Sequence, residues 1–356
     1  MSVRDFRKRK SLFLIDNQMC GVYNTIMTDI PNHHTLIDFH KPQKFSSLRL
    51  TNKFISVGSC FADEIAQRLK HDCVDVKVNP FGTIYNPVSI LNELRVCLSD
   101  KMFEMTDVIS YQDVFFTPYH STLFDSHDSN ELLENANKSL EKARRKMHNS
   151  DVFLITYGTA VIWEYQNIIM ANCHKVPQTN FTRRILTSQE IRQTTLDIIH
   201  LIQQHNPNAK IIFTISPVRH KNPDLLTNSY SKALLKVGLT DALTECNEPN
   251  VLYFPSFEIA MDQLRDYSHY RSDGVHLTDE AVDYIYDVFL RSCFDQNDLN
   301  VIERIRRLRK MMSHKTTERN QAYYDNMEKI RQELDIILKE YPTKKLEKLC
   351  NKVKKI

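Results

Sequence analysis

Phe54-Ile-Ser-Val-Gly-Ser-Cys-Phe-Ala-Asp-Glu-Ile-Ala-Gln-Arg68 is the stretch whose reading decides the fold. Residues 54–57 form an apolar run of strand type, Gly58-Ser59-Cys60 is a tight turn, and residues 61–71 carry apolar positions at helical spacing. A strand feeding a helix through so short a turn leaves a side chain at the helix N-terminus. Unpaired N–H groups and the helix dipole favour an anion there. Ser59 and Cys60 are both nucleophile candidates for that place.

Working outward, Val74–Val78 alternates as a second strand and runs into Asn79-Pro-Phe-Gly-Thr-Ile-Tyr-Asn-Pro87, a loop dense in turn residues. Pro87 suits the first position of a helix reaching about residue 98. Residues 111–119 read as an aromatic hairpin or extended excursion, and 130–149 as a charged amphipathic helix. Asp151–Tyr157 and Ala209–Ser216 are continuous apolar strands, with a β-rich hairpin over 160–173 that carries Trp163, packed within it. Helices are expected over 187–205, 229–246 and 278–294, and a strand over 251–254. Strands apolar on both faces and alternating with helices indicate a parallel sheet covered on both sides. The expected fold is therefore α/β: a three-layer α/β/α sandwich with a mostly parallel, flavodoxin-like sheet. Ligands of such sheets bind beyond the carboxyl ends of the strands.

The chain has 356 residues, 26% charged and 42% hydrophobic, the profile of a soluble globular protein. No apolar run approaches the roughly 20 residues of a transmembrane helix. The basic N-terminus leads into only a short apolar segment before Asp16, too short for a secretory signal, so the expected location is the cytoplasm. Eight scattered cysteines argue against a disulfide framework and a structural zinc site, and no metal is expected. Residues 1–45 read as an N-terminal arm, with His33-His34 on the surface, and residues 46–296 as the α/β domain. Residues 297–356 read as a basic helical extension. Within 301–356 there are 16 Lys/Arg and eight Asp/Glu, a net of +8, whereas the remainder (31 against 36) is at −5. Their periodicity suggests one or two helices packed on the domain, with a homo-oligomer contact or another partner as the alternative. No aromatic interleaving accompanies the charge, and nucleic acid is not an expected partner.

Glycine is scarce, and Gly58, Gly82, Gly158 and Gly274 all fall inside turn motifs. The last of these, Asp273-Gly-Val-His-Leu-Thr278, puts an Asp three residues before a His, where it can turn back to orient the ring. The plainer reading makes Thr278 a helix N-cap and Asp273 a turn former. Paired with a strand–turn–helix far upstream, a nucleophile–His–Asp site is the stronger reading.

Several motifs together are familiar. Gly58-Ser-Cys-Phe-Ala62, Asn79–Pro87, Tyr157-Gly-Thr-Ala160, Ala171-Asn-Cys-His-Lys175, Ser216-Pro-Val-Arg-His220 and Asp273-x-x-His276 resemble, in order, the pattern of the GSCFA family, across roughly residues 45–295. That family is placed among the SGNH/GDSL-like hydrolases, which implies an esterase or acyltransferase acting on an O-acylated carbohydrate, lipid or small ester without a cofactor. Acyl-CoA would then be a donor substrate. Laid on the superfamily's Gly-Asp-Ser block, Gly58-Ser59-Cys60 favours Cys60 over Ser59 as nucleophile, with a thiol pKa lowered at the helix N-terminus. The resemblance implies Asp273 and His276 as its partners and the N–H of Gly82 in the oxyanion hole. Gly158-Thr159-Ala160 lacks the superfamily's Asn, a role left to Asn172. Asn86, Arg219, His220 and His174 are the substrate-binding candidates. A non-catalytic binding module using residues 297–356 is the reading of another class.

Overall fold

The structure, a computed structural model, describes residues 48–221, 224–313 and 320–354. The arm expected over residues 1–45, including His33-His34, lies outside them. All described residues belong to one compact unit, Phe39–Ile356.

Five strands form the central sheet: β1 (Lys53–Gly58), β2 (Asp75–Val78), β3 (Val152–Tyr157), β4 (Lys210–Ile215) and β5 (Val251–Tyr253). Every pairing is parallel, and the spatial order is β5-β4-β3-β1-β2. That is the flavodoxin-like 2-1-3-4-5 order, as the apolar runs predict, and its switch point lies between β1 and β3. Side chains alternate across the sheet as the pleat requires. Phe54 and Leu154 join the core on one face, and Ile55, Val57, Phe153 and Ile155 join the other.

The helices that cover the sheet are α1 (Cys60–His71), α2 (Pro87–Cys97), α3 (Ser129–His148), α4 (Ser188–His205), α5 (Leu225–Cys246) and α6 (Asp279–Cys293). α1 and α6 supply Phe61, Ile65, Leu69, Ile285 and Phe289 to the first core; α2 to α5 supply Leu94, Leu140, Ile198 and Leu235 to the second. A hairpin (109–111 with 114–116) and a three-stranded antiparallel sheet (161–165, 168–170, 182–185) sit outside this frame. Trp163 packs there against Phe181, with Arg183 over its ring.

Three further helices follow: α7 (Gln296–Ser313), α8 (Gln321–Glu340) and α9 (Lys344–Val353). Their apolar stripes, among them Ile302, Ile305, Leu308, Ile330, Leu334, Ile337 and Leu346, belong to the same core as α1 and α6. A fully buried aliphatic side chain contributes about 1.5–3 kcal/mol, so such a stripe makes these helices integral despite their charge. Arg306 of α7 clasps the buried Asp72 at the end of α1 with contacts of 2.7–3.1 Å, and Tyr286 adds a hydrogen bond of 3.0 Å. None of the described helices is long and apolar enough to cross a membrane.

Candidate active site

Gly58 ends β1 with φ of +141°, and a Cβ there would stand 2.2 Å from the Thr156 carbonyl oxygen. Only glycine fits that approach of β1 to β3. The chain then turns through Ser59, the N-cap of α1, whose side chain makes no capping bond. Asn79, with φ of +39°, fastens the turn from the next loop. Its Oδ1 accepts the Gly58 N–H at 2.8 Å and its Nδ2 donates to Asp63 at 2.9 Å; Thr83 Oγ1 also donates to Asp63, at 3.2 Å. The loop over 79–87 thus holds both the end of β1 and the first turn of α1.

Cys60 is half-buried at the head of α1, whereas Ser59 is buried, its Oγ lacking a hydrogen-bond partner among the described residues. Burial pushes the Cys60 thiol up, and the Asp63 charge adds to it. The Lys232 charge and the N–H groups of Phe61 and Cys60 pull the other way. The net direction is upward, not the depression expected for a thiol at a helix N-terminus, because desolvation outweighs the dipole.

Asp273 and His276 meet as their spacing predicts. His276 Nδ1 lies 2.7 Å from Asp273 Oδ2, while Asp273 Oδ1 accepts the N–H groups of Val275 (2.7 Å) and His276 (3.0 Å). The His276 ring bond and these backbone N–H groups hold the Asp273 carboxyl well below the usual range. Thr278 caps α6 as well, so both readings of this segment hold at once. The Arg219 N–H donates to Val275 O at 3.3 Å, and the Lys221 ammonium to Asp273 O. These bonds tie the dyad to the loop after β4, at the carboxyl edge of the sheet. Among the described residues no hydrogen bond joins His276 to Cys60 or Ser59.

The remaining candidates divide. His220 reaches the site: its Nε2 is buried without a partner among the described residues, and its ring packs edge-on against Tyr85 at 5.7 Å. Burial pushes it down to about 4, with the Lys232 charge and, more weakly, His276 helping and the Gly158 backbone opposing. Arg219 lies over the rings of Tyr270 (4.3 Å) and Tyr267 (5.2 Å) at the same edge. Gly82 does not serve as expected, because its N–H is already given to Asn79 O at 2.9 Å within the loop. Asn86 is buried as the N-cap of α2, accepting Ser89 N–H at 2.8 Å and donating to Ser89 Oγ at 3.0 Å, so its side chain is not available to a substrate. His174 is buried, bonded to Asp125 at 2.7 Å and stacked on Phe116 at 4.4 Å, which removes it from the binding surface. Asn172 folds its Oδ1 onto the Cys173 N–H at 2.9 Å and gives no bond to the Gly58–Cys60 turn.

Two residues that the sequence did not single out stand in the site. Tyr85, pushed up to about 12 by burial and by the Cys60, Asp63 and Cys173 charges, packs its ring against His220 beside Gly158. Its carbonyl accepts the N–H groups of Gly158 (2.7 Å) and Thr159 (3.0 Å). Lys232 of α5 is buried, and its Nζ donates at 2.6 Å to both Gly158 O and Ser216 O. The signal for Lys232 was available: it shares the buried stripe of α5 with Leu235 and Leu239. Among the described residues no group of three or more His, Cys, Asp and Glu side chains could hold a metal ion.

A family model described as the GSCFA family matches residues 53–289. No match was found among the curated proteins. Among the solved structures that match is an acetyl xylan esterase (Est2A) from the rumen bacterium Butyrivibrio proteoclasticus, 12% identical, with a TM-score of 0.32. The match covers 70% of this chain and 64% of that one.

Proposed function

The chain belongs to the GSCFA family, and from that premise we propose that it is an acyl-transfer enzyme, an esterase or acyltransferase with Cys60 as nucleophile. Cys60 Sγ, its proton passed to a neighbouring base, attacks the acyl carbon of an ester; a C–S bond forms and the C–O bond breaks. His276, held by Asp273, gives a proton to the departing alkoxide and takes one back from the water or hydroxyl that releases the acyl group. The unpaired N–H groups at the head of α1 face the oxyanion. The observation that carries this reading is the 2.7 Å His276–Asp273 bond, tied by the loop after β4 to the sheet edge where Cys60 opens α1. Such a pair fixes the imidazole tautomer and supports the imidazolium. Apo geometry is commonly longer than that of the substrate complex, so the missing bond to Cys60 does not remove His276 from the role.

An O-acylated carbohydrate is the substrate class we propose, on the family resemblance. Acyl-CoA as donor uses the same chemistry. The test is turnover of O-acetylated sugars, a generic aryl acetate and acyl-CoA by the wild type, Cys60→Ala, Ser59→Ala and His276→Ala. Cys60→Ala and His276→Ala should lose about 100-fold or more, with Ser59→Ala less affected. An active wild type matched by both variants would end the assignment.

A further inference from the structure

Lys232 is the buried charge that the scheme above leaves unused. Lysine is almost never fully buried without a partner charge, yet no carboxylate pairs with Lys232 among the described residues; its bonds run to two backbone carbonyls. The sheet register says where those carbonyls lie. Gly58, Thr156 and Thr214 are aligned across β1, β3 and β4. Two residues further along each chain stand Cys60, Gly158 and Ser216. Lys232 Nζ bridges the last two just beyond the strand ends, at the sheet edge where Cys60 begins α1; among the described residues no hydrogen bond joins Nζ to Cys60 Sγ, so the proton passes as the two groups close up. Ser59 packs into the same place, since a Cβ on Gly158 would come within 3.1 Å of Ser59 Cβ.

A neutral amine has two N–H groups and one lone pair, and an ammonium has three N–H groups. The carbonyls of Gly158 and Ser216 take two N–H groups at 2.6 Å each. In the neutral form the lone pair is then the group left over, free to take a proton. We propose that Lys232 is the base of the Gly58–Cys60 turn: its neutral amine takes the proton from Cys60 Sγ, the S–H bond breaking as the third N–H bond forms. A thiolate faces an ammonium afterwards, and the proton returns when the acyl group leaves the sulfur. His276 then works on the leaving group and the incoming acceptor, which explains why it need not touch Cys60. For its role in turnover this assignment rests on the acyl-transfer reading.

The charges around the pair agree. Burial pushes Lys232 down to about 7, opposed by Cys60 alone. Cys60 is raised by burial and Asp63 and lowered by Lys232. From the other elements, the Cys60 charge acts on Tyr85, and the Lys232 and His276 charges act on His220. Such a pair loses its first proton as a unit, so the titration belongs to both groups.

The test is the rate of Cys60 alkylation by iodoacetamide between pH 5.5 and 10, read by mass spectrometry on the Cys60 peptide, so that the exposed Cys173 does not contribute. In the wild type the rate should rise through an inflection near 7. In Lys232→Met the inflection should move above 9, with the rate at pH 7.5 lower by about 10-fold or more. Lys232→Gln, which keeps N–H donors for the carbonyls, should behave likewise and covers a misfolded Met variant. A wild-type profile that rises only above 9, which needs no variant to read, would overturn the proposal. So would an unchanged profile in either folded variant. The readout needs no turnover. A chain inactive on every ester but alkylated through an inflection near 7 loses the acyl-transfer reading and keeps the Lys232 assignment.

Discussion

Two of the Asp–His pairs among the described residues close at the same short distance in opposite settings. Asp273–His276 and Asp125–His174 both close at 2.7 Å from Nδ1 to a carboxylate oxygen. The first pair is open, its side chains 46% and 44% exposed, at the sheet edge beside the loop after β4. The second is closed, at 14% and 0%, with the His174 ring flat against Phe116 and its Nε2 buried without a partner. A carboxylate–imidazole bond orients a ring, but only an accessible far nitrogen can exchange a proton with a substrate. Identical contacts therefore have different uses: the open pair can do acid–base work, and the closed pair fixes the loop over 171–176 to the segment over 116–125.

The largest expected difference is catalytic. His276→Ala should lower kcat/KM by about 10²–10⁴-fold with its melting temperature kept, because the ring is half exposed and packs little. His174→Ala should instead lower stability by about 2–4 kcal/mol, the order seen for large-to-small core changes, and the folded fraction should keep turning over. Paired thermal melts and kinetics check both. A His174→Ala protein that is stable but inactive would reverse the assignment of the two pairs.

Only one pair was legible in the sequence, and the reason is local. Asp273 and His276 are three residues apart, so the turn that joins them is visible in the string. Asp125 and His174 are 49 residues apart and are brought together by the outer strands. The central sheet was legible because strands buried on both faces, such as Val152–Tyr157, are unbroken apolar runs. The strand Thr182–Ile185 was not, since it is mostly exposed and polar. Residues 297–356 gave helical periodicity but not the third helix, α9, whose four lysines equal in number the apolar positions that it buries. In the site, Gly82 marks a tight turn, but a sequence does not say where an N–H is spent. Lys232 is not legible as a site residue because lysine on a helix ordinarily marks the solvated face.

A smaller difference should come from the carboxylates. Asp125→Asn removes a largely enclosed carboxylate acceptor from His174 and should cost about 1.5–3 kcal/mol, the usual worth of a hydrogen bond to a charged group. Asp273→Asn removes an exposed one, whose worth solvent screens, and should shift the urea midpoint less while lowering kcat. Equal midpoints in the two variants would mean that burial does not separate the pairs in stability.

The smallest effect is in the acid arm of the stability curve. Burial pushes His120 down to about 3, with the His174 charge acting the same way. His120 stacks on Phe81 at 4.2 Å and bonds Thr117 Oγ1 at 2.6 Å, inside the closed region. A histidine held neutral in the fold but free to protonate when unfolded stabilises fully above its ordinary 6.5, and that stability is lost as pH falls from 6.5 toward the folded value. His220, at about 4 beside Lys232, adds an arm of the same sign from the open region. Asp273 adds none between pH 7.5 and 5, since its carboxyl is ionised in both states there. Each imidazole should therefore contribute a slope approaching about 1.4 kcal/mol per pH unit below 6.5. In urea titrations from pH 7.5 to 5, His120→Phe and His220→Gln should each take that slope off the curve, while Glu93, pushed up to about 8 by burial, tilts it the other way in every variant. If His120→Phe leaves the arm intact, the closed region does not hold its imidazole neutral, and its contrast with the open edge rests on packing alone.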